Sequence, residues 1–108
     1  MDKNYALFSD MAAEMTVPED GTLSRTLYQD DRVKVVLFGF SAGQELSEHT
    51  AAVPAILQIL RGQARIGLGG DTVEACEGAW IHMEPNLTHS VVAETPVVML
   101  LTLLRTPS

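Results

Sequence analysis

The chain has 108 residues, of which 46% are hydrophobic, and its formal net charge at pH 7 is −7. This length supports one domain with a single core. Nucleic acid is excluded as a partner, because binding a phosphate backbone needs clustered cations and the seven lysines and arginines here are scattered.

Two further features indicate where the protein works. The longest apolar run, Val97–Leu104, is far shorter than the roughly 20 residues that cross a bilayer, so we expect no membrane partner. Cys76 is the only cysteine, so no intrachain disulfide can form, as is usual in a reducing compartment. We therefore predict a cytoplasmic protein.

The first 24 residues differ from the rest of the chain. Their apolar residues, from Tyr5 to Met15, have a weak helical or irregular spacing that ends at Val17–Gly21. We predict an N-terminal arm over residues 1–24, which lies on the main domain and could include one helical turn.

The remaining sequence has the pattern of β-strands. Arg32–Phe38 is rich in β-branched and aromatic residues, whereas Ala55–Leu60 and Val97–Leu104 are almost entirely apolar, as expected for strands covered on both faces. Short strands separated by Gly or Pro about every 8 to 12 residues are typical of an all-β sandwich or barrel. We therefore predict a single barrel domain over residues 25–108.

One hairpin can be predicted in detail. Gln63–Leu68 alternates polar and apolar residues, Gly69 and Gly70 supply a two-residue turn, and Asp71–Cys76 returns. A one-residue slip would lose the favourable cross-strand matches. The predicted pairs are Ile66 with Val73, Ala64 with Ala75 and, on the other face, Arg65 with Glu74.

Two glycine-led segments, one on each side of this hairpin, place a histidine at matching positions. They resemble the two sequence motifs of the small single-domain cupins, in particular a subgroup of short bacterial cupins. The residues in register are Gly43, His49 and Gly62 in the first motif and Gly78, Asn86 and His89 in the second. The resemblance covers about residues 25–105. It implies an all-β fold, the RmlC-like jelly-roll barrel or double-stranded β-helix, with the N-terminal arm added to it.

Half of the ligand set that this resemblance implies is missing. The family's metal site uses three histidines and one glutamate, and only His49 and His89 carry over. Ala51 stands at the position of the second histidine of the first motif, and Ala55 stands at the position of the glutamate. Methyl groups cannot coordinate a metal. In the second motif, Glu84 occupies the place where proline is usual.

A bound metal would therefore need a further ligand, because divalent first-row metals typically take three or four protein ligands. Strand alternation predicts that Ser47 points inward if His49 does, and that Gln58 points outward if Ala55 points inward, unless a bulge intervenes. The sequence leaves open whether His82 faces the pocket. The candidates for the further ligand are His82, Gln58, Glu45, Ser47 and Gln44.

Two functions from different classes fit these residues. In the first, the protein binds a small polar molecule in the barrel pocket, with His49 and His89 as its polar groups. In the second, a metal-dependent enzyme of the dioxygenase or isomerase type uses the same histidines to hold one divalent ion of iron, nickel, zinc or manganese. The missing ligands favour the first function. The expected lining residues of the pocket are apolar, and they are Leu57, Ile59 and Met99.

A homodimer is the partnership that the sequence favours. Val33–Phe40 and Val97–Leu104 are apolar on both faces, which is more apolar surface than a small barrel hides alone. The cupins that the chain resembles commonly pair through sheet faces, and the N-terminal arm could cross to the neighbour.

Overall fold

The computed structural model describes residues 4–106, within which the chain forms nine β-strands and one short 3-10 helix, Ala12–Glu14. Within residues 4–106, no helix is long and apolar enough to cross a membrane. The strands are β1 (Thr22–Gln29), β2 (Val33–Phe40), β3 (Glu45–His49), β4 (Ala55–Arg61), β5 (Gln63–Leu68), β6 (Asp71–Cys76), β7 (Trp80–Met83), β8 (His89–Ala93) and β9 (Val97–Leu104).

The strands form two antiparallel sheets. One has five strands in the order β1-β2-β9-β4-β7, and the other has four in the order β3-β8-β5-β6. Most consecutive strands, including β3 and β4 as well as β7 and β8, belong to different sheets, so their connecting loops meet at the ends of the barrel. The all-β barrel that the strand pattern predicted is confirmed.

The main core lies between the two sheets. Inward-facing residues alternate with outward-facing ones along each strand, as in β4, where Leu57 and Ile59 are buried and Gln58 is half-buried on the other face. The largest fully buried side chains of this core are Phe40, Leu57, Ile59, Ile66, Met83, Met99, Val91 and Val97.

The predicted hairpin is present with the predicted register. Ile66 pairs with Val73 and Arg65 pairs with Glu74 across β5 and β6. The Arg65 Nε atom donates to Glu74 Oε1 at 2.9 Å. A hydrogen bond with Glu94 is the largest cause that lowers the pKa of the Glu74 carboxyl, and the hydrogen bond with Arg65 is the second. The hydrogen bond with Glu74 raises the pKa of Glu94.

The N-terminal arm packs on the outer face of the five-stranded sheet. Met15 is 8% exposed and forms a second cluster with Leu37, Val98 and Leu100. Gly39 makes room for it, because a Cβ there would lie 2.8 Å from the Met15 Cγ atom. The arm therefore covers part of the apolar outer face of β2 and β9.

The start of β1 differs from the predicted domain boundary. The strand begins at Thr22, three residues before the predicted start of the barrel at residue 25, and pairs with Phe40 of β2 from its first residue. The predicted helical turn in the arm is present as the 3-10 helix. Residues 1–3 of the predicted arm and 107–108 of the predicted barrel lie outside the described residues.

Gly62, which closes the first motif, lies where the turn between β4 and β5 meets the turn between β8 and β9. Its φ is +88°, and a Cβ would collide with the Pro96 carbonyl oxygen and lie 2.8 Å from the Thr95 Oγ1 atom. The same two turns are joined by a 2.9 Å hydrogen bond from the Gln63 backbone N–H to Thr95 Oγ1. Only glycine combines this backbone conformation with so close an approach.

We expect Gly62→Ala to lower the free energy of unfolding by on the order of 3 kcal/mol, because it adds left-handed backbone strain to a steric clash. Urea denaturation measures this as a lower midpoint with an unchanged slope. Gly70→Ala is the matched control, since a Cβ there meets nothing within 4 Å. Equal stability of the two variants would contradict the close-approach explanation.

Candidate functional site

The structure brings His49 and His89 together. They are direct cross-strand partners, at the end of β3 and the start of β8. Their ring centroids lie 4.1 Å apart, and the ring planes are tilted by 56°. Because these strand ends lie at one end of the barrel, the pair lies there too. His89 is 4% exposed and His49 is half-buried, so the pair is partly removed from water.

A bulge in β3 turns His49 to the inner side. The register between β3 and β8 shifts between Leu46 and His49. Leu46 packs against the main core, whereas Ser47 is exposed. The prediction that Ser47 shares the inward face of His49 is therefore wrong. One extra residue in the strand changes which side chains face inward beyond it, and Ser47 does not join the histidine pair.

Each imidazole makes a hydrogen bond of the same type, with the backbone carbonyl of the residue two positions earlier. The His49 Nδ1 atom lies 2.9 Å from the Ser47 carbonyl oxygen, and the His89 Nδ1 atom lies 2.9 Å from the Leu87 carbonyl oxygen. A carbonyl oxygen only accepts, so each Nδ1 carries the hydrogen and each neutral ring has its lone pair on Nε2. Among the described residues, no hydrogen bond occupies either Nε2 atom.

Alanines occupy the two positions where the resemblance implies further metal ligands. Ala55 begins β4, is 2% exposed and belongs to the main core, as its predicted inward orientation requires. Ala51 lies in the loop between β3 and β4, where its carbonyl oxygen accepts a 2.7 Å hydrogen bond from the Asn86 backbone N–H. This bond joins the two loops next to the histidine pair.

His82 does not face this site. It is exposed on the outward face of β7, where its ring stacks against Trp80 with centroids 6.4 Å apart. Ile81 and Met83, on the alternate face, contact the main core. The prediction of His82 as a further metal ligand is therefore corrected, because strand alternation directs it away from the histidine pair.

The other candidate ligands are also separate from the pair. Gln58 lies on the outward face of the five-stranded sheet, opposite Trp80. Glu45 is exposed at the opposite end of β3 from His49, and Gln44 precedes it. Within the described range, no group of three or more His, Cys, Asp and Glu side chains could hold a metal ion.

The apolar candidates lie on the inner face of the five-stranded sheet. Leu57, Ile59 and Met99 are each 1% exposed and belong to the main core. Ile59 and Met99 are direct cross-strand partners, and Leu57 is two residues closer to Ala55. Their predicted inward orientation is therefore present. Their role as the lining of a ligand site stays a prediction.

The donor set does not fit the family's metal centre. Two imidazoles supply two ligands, whereas divalent first-row metals typically take three or four from the protein. Met83, which no sequence motif singles out, is 2% exposed and pairs directly with Ala55. Its position became visible only with the pairing of β4 and β7.

Comparison with solved structures identifies the fold. A conserved protein of unknown function from Streptococcus pyogenes is 29% identical, with a TM-score of 0.84 over 100% of this chain and 93% of that one. A cupin superfamily protein from Desulfitobacterium hafniense is 24% identical, with a TM-score of 0.84 over 98% and 95% of the two chains. An RmlC-like cupin from Shewanella frigidimarina is 18% identical, with a TM-score of 0.77 over 97% and 93%.

No protein-family model and no curated protein matches the sequence. The structural likenesses nevertheless span nearly the whole of each chain and agree on one architecture. The chain therefore has the cupin fold, a double-stranded β-helix barrel, which confirms the resemblance that its two motifs indicated.

We expect long-range ¹H–¹⁵N NMR spectra of histidine-labelled protein to show His49 and His89 as Nδ1–H tautomers, when the rings are neutral. The backbone carbonyl at each Nδ1 requires this proton position. His82 provides an internal reference, because no backbone carbonyl holds its ring among the hydrogen bonds of the described residues. A protonated Nε2 on either neutral ring of the pair would contradict the arrangement.

Proposed function

We propose that this cupin-fold protein binds a small polar ligand at the histidine end of its barrel, through the Nε2 atoms of His49 and His89. One observation carries the proposal: each Nδ1 is tied to a backbone carbonyl, so both rings are fixed with their second nitrogen unused. Polar groups fixed in orientation beside an apolar core are the usual composition of a small-molecule site.

The chemistry of the pair limits the ligand. When both rings are neutral, their Nε2 atoms offer lone pairs, and a matching ligand then donates hydrogen bonds through hydroxyl, amide or ammonium groups. A carboxylate would place its own lone pairs against these nitrogens, in a chain whose net charge is already −7. The apolar lining that we propose for the rest of the ligand consists of Leu57, Ile59 and Met99.

We expect calorimetric titration with a panel of glycerol, neutral sugars, ethanolamine and acetate to detect binding of hydroxyl or ammonium compounds but not of acetate. His49→Ala should weaken that binding by about tenfold, the effect of one lost hydrogen bond. His82→Ala is the matched control, because it removes an imidazole that lies on the outward face. Equal affinity of the two variants would overturn the proposal.

A metal-dependent enzyme of the dioxygenase or isomerase type is the second candidate. A backbone carbonyl on Nδ1 is a common outer partner of a metal-bound histidine, which favours this reading. The methyl groups of Ala51 and Ala55 count against it. Metal analysis of untagged protein separates the two candidates. Stoichiometric iron, nickel, zinc or manganese that disappears in a His49→Ala, His89→Ala variant would favour the enzyme, and its absence with ligand binding intact would remove it.

We also propose a homodimer that covers Trp80. This side chain is 59% exposed on the outward face of β7, an edge strand of the five-stranded sheet. An aromatic side chain of this size contributes much of the buried area of an interface.

Light scattering at micromolar concentration should give the mass of two chains, and Trp80→Arg should reduce it to one chain, because a charge at the centre of an interface is strongly unfavourable. Val73→Arg is the matched control, on β6 at the edge of the other sheet. A single-chain mass for the unsubstituted protein would refute the dimer, and a dimeric Trp80→Arg variant would refute this interface.

A further inference from the structure

A cavity lies between the N-terminal arm and the outer face of the five-stranded sheet. Its volume is about 520 Å³, and small-molecule sites usually have roughly 300 to 1,000 Å³. The arm forms one wall, and the end of β4 and the start of β9 form the other. The residues that line it include Ala13, Met15 and Val17 of the arm and Arg61, Pro96 and Val98 of the sheet.

A bulge at the end of β4 turns Arg61 to this outer face. Ile59 faces the main core, and Leu60 packs on the outer cluster around Met15. Regular alternation would then return Arg61 to the inner face. The register between β4 and β9 instead shifts between Ile59 and Arg61, so that Arg61 is the direct partner of Val98, which belongs to the outer cluster. Direct partners share a face of the sheet, so the extra residue places a cation beside the arm.

The arm lies against one end of this row of the sheet and leaves space at the other. Gly39, Val98 and Arg61 are successive cross-strand partners on β2, β9 and β4. Met15 fills the space above Gly39, where a Cβ would lie 2.8 Å from the Met15 Cγ atom and 3.5 Å from the Val17 Cα atom. At the β4 end of the row, Arg61 is exposed, and the space between it and the arm is the cavity.

Arg61 has no anionic partner in the described part of the chain. Arg25 and Arg65 form ion pairs with Glu14 and Glu74, whereas no ion pair among these residues involves Arg61. Glu14 lies in the arm between two of the lining residues, but its carboxylate pairs with Arg25 at 3.4 Å. A guanidinium matches a carboxylate through two parallel hydrogen bonds, and neighbouring apolar surface strengthens such a pair because it excludes water.

The rest of the lining selects a ligand with an apolar body. Apart from Arg61 and Thr16, the side chains around the cavity are apolar, and the flexible thioether chain of Met15 adapts to differently shaped apolar groups. One arginine balances one negative charge, whereas a phosphate group carries close to two, in a chain whose net charge is already −7. The matching ligand is therefore a monoanion.

We propose that this cavity binds a small monocarboxylate with an apolar body. The carboxylate pairs with the guanidinium of Arg61, and the hydrocarbon part contacts Met15, Val17 and Pro96. This site is separate from the histidine pair, since β4 begins at Ala55, beside that pair's loops, and ends at Arg61. Its ligand also has the opposite character, because it accepts hydrogen bonds and carries a negative charge.

The test is a titration of hexanoate into protein labelled with ¹³C at the methionine methyl groups. We expect the Met15 methyl signal to shift in a saturable way, while the signals of Met83 and Met99, which lie in the main core, stay in place. Acetate should bind at least tenfold more weakly, because each buried methylene group adds about fourfold to affinity.

Arg61→Gln should weaken hexanoate binding by roughly tenfold, the effect of losing one charge-assisted pair. Arg32→Gln is the matched control, because it removes the same charge from the turn between β1 and β2, at the opposite end of β2 from Gly39. Arg61 is exposed, so its substitution should preserve the fold, and unchanged Met83 and Met99 signals verify this.

His49→Ala distinguishes this site from the histidine pair, and it should bind hexanoate as the unsubstituted protein does. A Met15 signal that does not move, or that moves without saturation, refutes the site. Equal affinity of Arg61→Gln and Arg32→Gln refutes the role of the guanidinium. Binding that is lost in His49→Ala and kept in Arg61→Gln assigns hexanoate to the histidine pair and overturns the proposal.

Discussion

The bulge in β3 is the constraint on which the candidate site depends. Without the extra residue between Leu46 and His49, regular alternation from the buried Leu46 would turn residue 49 outward. With it, His49 becomes the direct partner of His89, and the ring centroids come within 4.1 Å. The Ser47 carbonyl, which lies within the bulged segment, contacts the His49 Nδ1 atom, and the Leu87 carbonyl, just before β8, contacts the His89 Nδ1 atom. The local irregularity in β3 thus determines the position of His49 in the pair.

The parts of the fold that sequence predicts well are those with several independent local signals. In the β5–β6 hairpin, alternation, a Gly-Gly turn and the Arg65–Glu74 pair all require the same register, and that register is observed. The bulge in β3 has no such signal, because neither glycine nor proline marks the place between Leu46 and His49 where the register shifts. The orientation of Ser47 was therefore predicted wrongly, although the two histidines do lie side by side, as their matching places in the two motifs predicted.

The sequence also could not predict side-chain positions that depend on packing between distant segments of the chain. His82 and Met83 are adjacent, and alternation states only that they face opposite ways. The contact of Met83 with the core, and the stacking of His82 on Trp80, decide which of them faces inward. The cover that Met15 provides for the outer face of β2 and β9 likewise depends on the missing side chain of Gly39. Part of the apolar surface of these two strands is therefore covered by an earlier segment of the same chain.

The loss of the family's metal ligands and the stability of the core are linked at Ala55. This residue is 2% exposed and packs with Met83 between the two sheets. A carboxylate in its place would be buried away from water. This costs several kcal/mol unless a metal ion or another positive charge pairs with the carboxylate. Compared with an unpaired carboxylate, a methyl group at this position therefore stabilises the fold. A methyl group cannot coordinate a metal. The residue that suits the core therefore also removes one of the ligands that the resemblance implies for this site.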